Sequence, residues 1–294
     1  MAKIHNTIIP FAGCFDKSTN LLESSDIVLL GLASDTQSSF RSGARKAPEH
    51  IRNAYDGYCF TATTESGVDL YKMVTDLGDL SPKVNWEQTS NHFQIRAESI
   101  FKKGKNAFFL GGDHAITIPV VEALSSLGQP VHFIQFDAHP DLYPDYEGDI
   151  YSHACVAARI LEMNHVASVT QIGIRTMNHM QQQLADRYEN KLRIFNASSL
   201  QNSMPSLAYL PKDAPVYISI DMDCFDPAFA PGVSHPVPGG LTSRQVLNFL
   251  LNMRWNLVGM DVVELNPAMD INNQTAILAA RLLHEAMGTT VPKE

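Results

Sequence analysis

The sequence predicts an α/β protein built on one central, mainly parallel sheet. Two observations predict it. Short apolar runs rich in β-branched and aromatic residues alternate with amphipathic segments along the 294 residues, and such alternation builds parallel βαβ units. Three of the runs also end in Asp or His, as expected where ligands gather at the carboxyl edge of an open parallel sheet.

Taken in order, the expected strands are Asp26–Leu32, Asn106–Leu110, Val131–Phe136, Val169–Ile174, Lys191–Phe195, Val216–Ile220 and Leu257–Val263. Each has the length of a buried strand. The expected helices are Ala47–Ala54, Asn91–Lys103, Ile118–Leu127, His153–Asn164, Asn178–Arg187, Ser243–Leu251 and Asn273–Met287. Thr242 and Gln245 have capping-box spacing, after a Pro236-Val237-Pro238-Gly239-Gly240 loop. Residues 57–90 give no clear periodicity. No repeat or linker interrupts the chain, so residues 1–294 read as one domain.

Composition narrows the function. Hydrophobic residues are 45% and charged residues 18%, which is ordinary for a globular chain with a real core. The net charge of −9, without a basic patch, argues against nucleic acid as partner and is compatible with a small cationic one. No apolar run approaches the roughly 18 residues of a membrane span. The four cysteines, Cys14, Cys59, Cys155 and Cys224, form no Cys-x-x-Cys pair. A cytoplasmic protein with free thiols is expected.

The chemistry concentrates at strand ends. In "IQFDAHPDLY", Asp137, His139 and Asp141 stand at alternate positions, and an extended chain would point them one way. Pro140 biases His139 away from helix. "VYISIDMDCFDP" ends in Asp221 and Asp223, and "AFFLGGDHAIT" in Asp113 and His114 after Gly111-Gly112. Asp113 alone reads equally well as a helix cap. Four carboxylates, Asp137, Asp141, Asp221 and Asp223, would repel one another at a dry edge without a cation. With His114 and His139 they are too many for one tetrahedral zinc. Mixed oxygen and nitrogen donors suit Mn²⁺, with Ni²⁺, Co²⁺ or Fe²⁺ as alternatives. Two ions roughly 3.5–4 Å apart can share a water and lower its pKa.

"GGDHAIT", "FDAHPDL", "SIDMDCFDPAFAPG" and "MDVVELNPAMDINNQTAILAARLL" together resemble the ureohydrolase family of arginase and agmatinase. "SSFRSGARKAPEHIR" is similar to the agmatinase branch. The resemblance implies an arginase-like, three-layer α/β/α fold, a binuclear manganese site and hydrolysis of a guanidino compound with release of urea. It implies one ion at His114 and Asp141, the other at His139 and Asp223, with Asp137 and Asp221 bridging. It implies catalytic roles for His153, Glu264 and Asp141: Glu264 binds guanidinium and His153 shuttles a proton. A carboxylate pairs bidentately with a planar guanidinium, and imidazole titrates near neutral pH. It also implies a homo-oligomer, a trimer or hexamer.

The departures point to the substrate. Tyr143 stands where arginases keep an Asn, and Thr176 where they keep an Asp. Both family residues meet the amino-acid head group, so agmatine is expected, yielding putrescine in polyamine biosynthesis. Ala154-Cys155 follows Ser152-His153 where agmatinases read Ser-His-Gly, which leaves guanidinobutyrate, aminopropylagmatine, arginine and formiminoglutamate as alternatives. Arg175 and Arg159 are candidates for holding an acidic tail. A non-catalytic binding member is the reading from another class, and a complete ligand set argues against it.

Overall fold

The computed structural model describes Cys14, residues 25–55, Cys59, and residues 61–201 and 203–292. Eight parallel strands form one sheet: β1 Ile27–Leu32, β2 Val74–Leu80, β3 Asn106–Leu110, β4 Val131–Phe136, β5 Val166–Ile174, β6 Leu192–Asn196, β7 Pro215–Asp221 and β8 Asn256–Val263. Their order is β2-β1-β3-β8-β7-β4-β5-β6. The seven expected strands are all present, with end shifts of up to three residues at β5. β2 lies inside the stretch without periodicity and is an eighth.

Both faces of the sheet are buried, so successive residues of one strand enter different cores. Ile27 and Leu29 of β1 pack with α1 (Ala47–Ala54), α6 (Ser243–Leu251) and α7 (Gln274–Thr289). Val28 and Leu30 pack with α2 (Trp86–Phe101), α3 (Thr117–Ala123), α4 (Val156–Glu162) and α5 (His179–Arg187). The layers are therefore α/β/α, as expected.

Helix ends differ where capping decides. α2 starts before the expected Asn91 because the Asn85 side chain accepts from Gln88 N at 2.9 Å. The end of the expected helix over 118–127 tightens to a 3₁₀ turn, Leu124–Leu127, closed by Gly128 at φ +65°. The helix expected from His153 begins as a 3₁₀ turn, His153–Cys155, and becomes α-helical only at Val156. α6 carries the expected capping box between Thr242 and Gln245, and Asn178 and Gln181 form a second at α5.

Four adjacent central strands, β3, β8, β7 and β4, run directly into the residues of interest. No helix among the described residues is long and apolar enough to cross a membrane.

Candidate metal centre

His114 follows β3 through Gly111-Gly112. A Cβ on Gly112 would lie 1.6 Å from Ser34 O, so only glycine lets the turn pass this close. Asp137 follows β4, Asp221 ends β7, and Glu264 follows β8. The simple alternation expected for Asp137, His139 and Asp141 fails at its last member. Asp141 has a left-handed backbone, φ +48°, and reaches the cluster by that turn, not by extended geometry. Glu264 is also left-handed, φ +62°. Such non-glycine conformations cost of order 1–3 kcal/mol and persist only where the surroundings enforce them.

The six side chains converge. His114 Nδ1 lies 2.9 Å from Asp141 Oδ2, 3.2 Å from Asp137 Oδ2 and 3.4 Å from Asp221 Oδ2. His139 Nδ1 lies 2.9 Å from Asp223 Oδ2 and 3.6 Å from Asp137 Oδ1. Asp137 therefore turns one oxygen to each imidazole. Two compact donor groups result, His114 with Asp137 and Asp141, and Asp137 with His139 and Asp223.

Surrounding hydrogen bonds fix these orientations. Gln135 Nε2 donates to Asp137 Oδ2 at 2.8 Å, and Gln171 Nε2 donates to Gln135 Oε1 at 2.9 Å. The amides of His139 and Ala138 donate to Asp137 and Asp223 at 2.7 and 3.1 Å. On the far side of His114, Ser219 Oγ lies 3.0 Å from Nε2 and donates to Asp261 Oδ1 at 2.6 Å. Asp261 Oδ2 also accepts from Tyr217 and Thr117, at 2.8 and 2.9 Å. With its own proton on Asp261, Ser219 accepts the Nε2 proton and leaves Nδ1 facing inward with its lone pair.

The donor set fits divalent cations. His114 Nδ1 is buried and makes no directional hydrogen bond, although three carboxylates lie within 3.4 Å. Its partners surround a common point, as ligands around an ion do. The electrostatics agree that the pocket calls for positive charge. Burial works against charge on His139, but Asp223 and Asp137 raise its pKa to about 12. His114 is raised as well, because Asp137, Asp141 and Asp221 outweigh its burial. Burial and the Asp137 charge push Asp141 up to about 7. Asp221 is pushed well up by burial and by Asp223. Two imidazoles and four carboxylates leave nitrogen and oxygen donors only, the preference of Mn²⁺ and its divalent neighbours.

Glu264 and His153 stand beside the cluster. Glu264 Oε1 accepts from His114 N at 2.9 Å and lies 3.0 Å from His153 Nδ1. Burial lowers the pKa of His153, but Glu264 outweighs it and raises the imidazole to about 9. Asp113 is not among the converging side chains. It precedes a 3₁₀ turn without capping it, and accepts from Gln37 N at 2.8 Å instead. It anchors the loop whose Ser39 reaches His153 Nε2, Oγ at 2.8 Å.

These residues open into a cleft of about 250 Å³, walled further by Tyr143, Tyr146, Thr176, Gln181 and His235. Arg175 and Arg159 are not in it. Arg175 donates to the carbonyls of Asp223, Val237, Gly173, Cys224 and Phe225, and Arg159 pairs with Glu162 at 3.1 Å. Both are removed as tail-binding candidates. Sequence reasoning missed His235 and the chain from Ser219 to Asp261. An unassigned histidine in a Pro/Gly loop was the only available signal for the first. The alternation Tyr217, Ser219, Asp221 on one strand was the signal for the second.

The class defined by this sheet and its strand-end donors is matched by comparison with known proteins. The arginase-family profile matches residues 25–288. Arginase 1, mitochondrial, of Oryza sativa subsp. indica is 38% identical over 271 residues, covering 87% of this chain and 79% of that protein. The agmatinase of Chromobacterium violaceum is 34% identical, covering 89% and 82%. The crystal structure of agmatine ureohydrolase of Thermoplasma volcanium superposes with a TM-score of 0.84 at 30% identity, covering 96% and 94%. The chain belongs to the arginase family. It is thus an amidinohydrolase of a family that depends on a binuclear metal site and binds small guanidino substrates.

Proposed function

We propose that this protein hydrolyses agmatine to putrescine and urea with two Mn²⁺ ions. The observation that carries the metal assignment is Asp137, with one carboxylate oxygen toward His114 and the other toward His139. His114 and Asp141 would hold one ion and His139 and Asp223 the other, with Asp137 and Asp221 shared between them. Bound ions supply an activated water for attack on the guanidinium carbon. Glu264, held by His114 N, receives the guanidinium edge. His153, beside Glu264, holds the proton that the leaving amine takes. Ni²⁺, Co²⁺ and Fe²⁺ fit the same donors.

The tail preference rests on the cleft walls. Among the described residues no Lys or Arg lines the cleft, so an acidic tail, as in guanidinobutyrate or formiminoglutamate, would be desolvated without a guanidinium or ammonium partner. The Thr176 hydroxyl donates to Ala138 O at 3.1 Å, and Tyr143 accepts from Asn178 Nδ2 at 2.6 Å. Both are engaged within the wall where arginases keep head-group readers. Arginine is the second reading, favoured by the 38% identity to a protein named arginase. Residues 1–294 act in this reading as one domain, in a homo-oligomer (trimer or hexamer) in the cytoplasm. The described thiols are all unpaired, which supports that compartment. Urea release from agmatine, aminopropylagmatine, arginine, guanidinobutyrate and formiminoglutamate, with Mn²⁺ supplied, tests it. Arginine as the best substrate would replace agmatine in this scheme.

A further inference from the structure

We infer a third, inhibitory metal site at the mouth of the cleft, formed by His153, His235 and Glu264 and selective for Zn²⁺. Nitrogen or oxygen atoms of the three side chains all lie within 4.8 Å of one another. His153 Nδ1 is 3.0 Å from Glu264 Oε1, and the centroids of the two imidazoles are 5.1 Å apart. None of the three belongs to the six-donor cluster.

His235 has no hydrogen-bond partner among the described residues. Its neighbours are the rings of Phe40, His139 and His153. It is a half-buried imidazole on the wall of a cleft with both nitrogens uncommitted. Two imidazoles and one carboxylate, with a fourth position open to solvent, is a donor set that zinc takes tetrahedrally. The binuclear cluster offers mostly carboxylate oxygen, which suits harder ions. The two sites therefore differ in the metal they favour.

The second nitrogen of His153 is provided for. A metal-bound imidazole needs a partner for its other N–H, and Ser39 Oγ lies 2.8 Å from His153 Nε2. With zinc on Nδ1, the Nε2 proton goes to that oxygen, and the Ser39 amide, which donates to Nε2 at 3.2 Å, gives up that bond. Ser39 is itself held by the loop that Asp113 anchors.

The consequence for turnover rests on the function proposed above. Zinc here takes the carboxylate that receives guanidinium and the imidazole that carries the proton. Zinc and substrate then exclude each other, and the inhibition is competitive. Zinc becomes a brake at a site apart from the manganese pair.

The test uses the full chain loaded with two Mn²⁺ per protomer. Zn²⁺ is titrated in by calorimetry, bound manganese and zinc are counted after desalting, and initial rates are fitted against agmatine. A third metal equivalent is expected with both manganese ions retained, with KM rising and kcat unchanged. His235→Ala, with rates taken relative to its own zinc-free turnover, should raise the zinc inhibition constant at least about 100-fold, since loss of an outer partner alone costs 10–100-fold. His235→Cys, which restores a zinc ligand, should recover sensitivity. Equal sensitivity of His235→Ala and the parent overturns the site, as does release of one manganese for each zinc bound. If the parent cleaves no guanidine at all, the proposed function falls and calorimetry alone decides. A zinc equivalent lost in His235→Ala then supports the site, and one retained overturns it.

Discussion

Glu264 Oε1 sits between His114 N, 2.9 Å away, and His153 Nδ1, 3.0 Å away, so one carboxylate touches both a residue of the candidate metal cluster and the imidazole at the cleft. Its left-handed backbone is imposed by the bond from its own amide to Gly112 O, 2.8 Å. Glu264→Gln keeps the shape and removes the charge that a guanidinium needs. A charge-assisted pair at a dry site contributes several kcal/mol, so kcat/KM should fall roughly 10²–10³-fold for every guanidino substrate. Both metal ions should stay bound. Steady-state kinetics with metal analysis check this, and an unaffected kcat/KM would remove Glu264 from guanidinium binding.

Asp137→Asn should strip activity while leaving the fold. Asp137 is fully buried and accepts from the Gln135 side-chain Nε2 and from His139 N, and an amide of the same shape keeps much of the local packing. It cannot supply two anionic oxygens to two ions. Metal content should drop below two per chain, and urea release should fall by about 10³-fold or more, as when a metal-activated nucleophile is lost. Circular dichroism should be unchanged. Near-parental turnover would reduce Asp137 to a structural residue.

Much of this architecture is legible in the sequence because burial on both faces leaves no alternative. Val131–Phe136 and Pro215–Asp221 are central strands whose apolar runs can do little else. β2 was not legible. "VTDLGDL" lies at the sheet edge with only Val74 and Thr75 buried, so its polarity matches a loop as well as a strand. The convergence of these Asp and His side chains was legible because chemistry restricts such residues at strand ends more than packing does. The way Asp141 joins it was not, since a left-handed Asp has no sequence mark. Arg175 shows the opposite failure. A cation near a cleft suggested a substrate partner, whereas five backbone carbonyls claim it.

Arg175→Lys should therefore destabilise the protein without changing its substrate ranking. Lysine keeps the charge but cannot fork to carbonyls on both sides of the loop after β7. Loss of several buried hydrogen bonds at about 1 kcal/mol each gives a loss of roughly 2–4 kcal/mol, read by denaturant titration. A selective loss of one substrate, with stability intact, would return Arg175 to the tail pocket.

Acid should weaken the fold through His284. It is fully buried in α7 and hydrogen-bonded to Tyr55, and burial lowers its pKa from 6.5 to about 4. The unfolded chain binds this proton more readily than the folded one. The contribution is thus complete above pH 6.5 and is lost as pH falls toward 4. The difference corresponds to about 3 kcal/mol. His284→Asn has nothing to titrate there, so its stability between pH 7 and 4 should fall less steeply than the parent's. Parallel slopes in denaturant titrations at pH 7, 5.5 and 4 would exclude His284 as the source.

Agmatine should be cleaved much faster than arginine. The two differ by one carboxylate, and no Lys or Arg among the described residues lines the cleft to receive it. Thr176 and Tyr143 are engaged by Ala138 O and Asn178, so recruiting them breaks existing bonds. Burying an unpartnered carboxylate costs several kcal/mol, which corresponds to roughly 10²–10⁴ in kcat/KM at about 1.4 kcal/mol per tenfold. Thr176→Asp tests the wall directly. It places a carboxylate where arginases keep one for the α-amino group, and should narrow the gap by improving arginine more than agmatine. Tyr143→Asn in the same background should narrow it further, because the amide can donate to the substrate carboxylate. Competition kinetics with both substrates present give the ratio without separate KM values. A parental ratio near one would mean that the carboxylate finds a partner in the cleft, and Ser39 or Asn178 would be the first donors to replace.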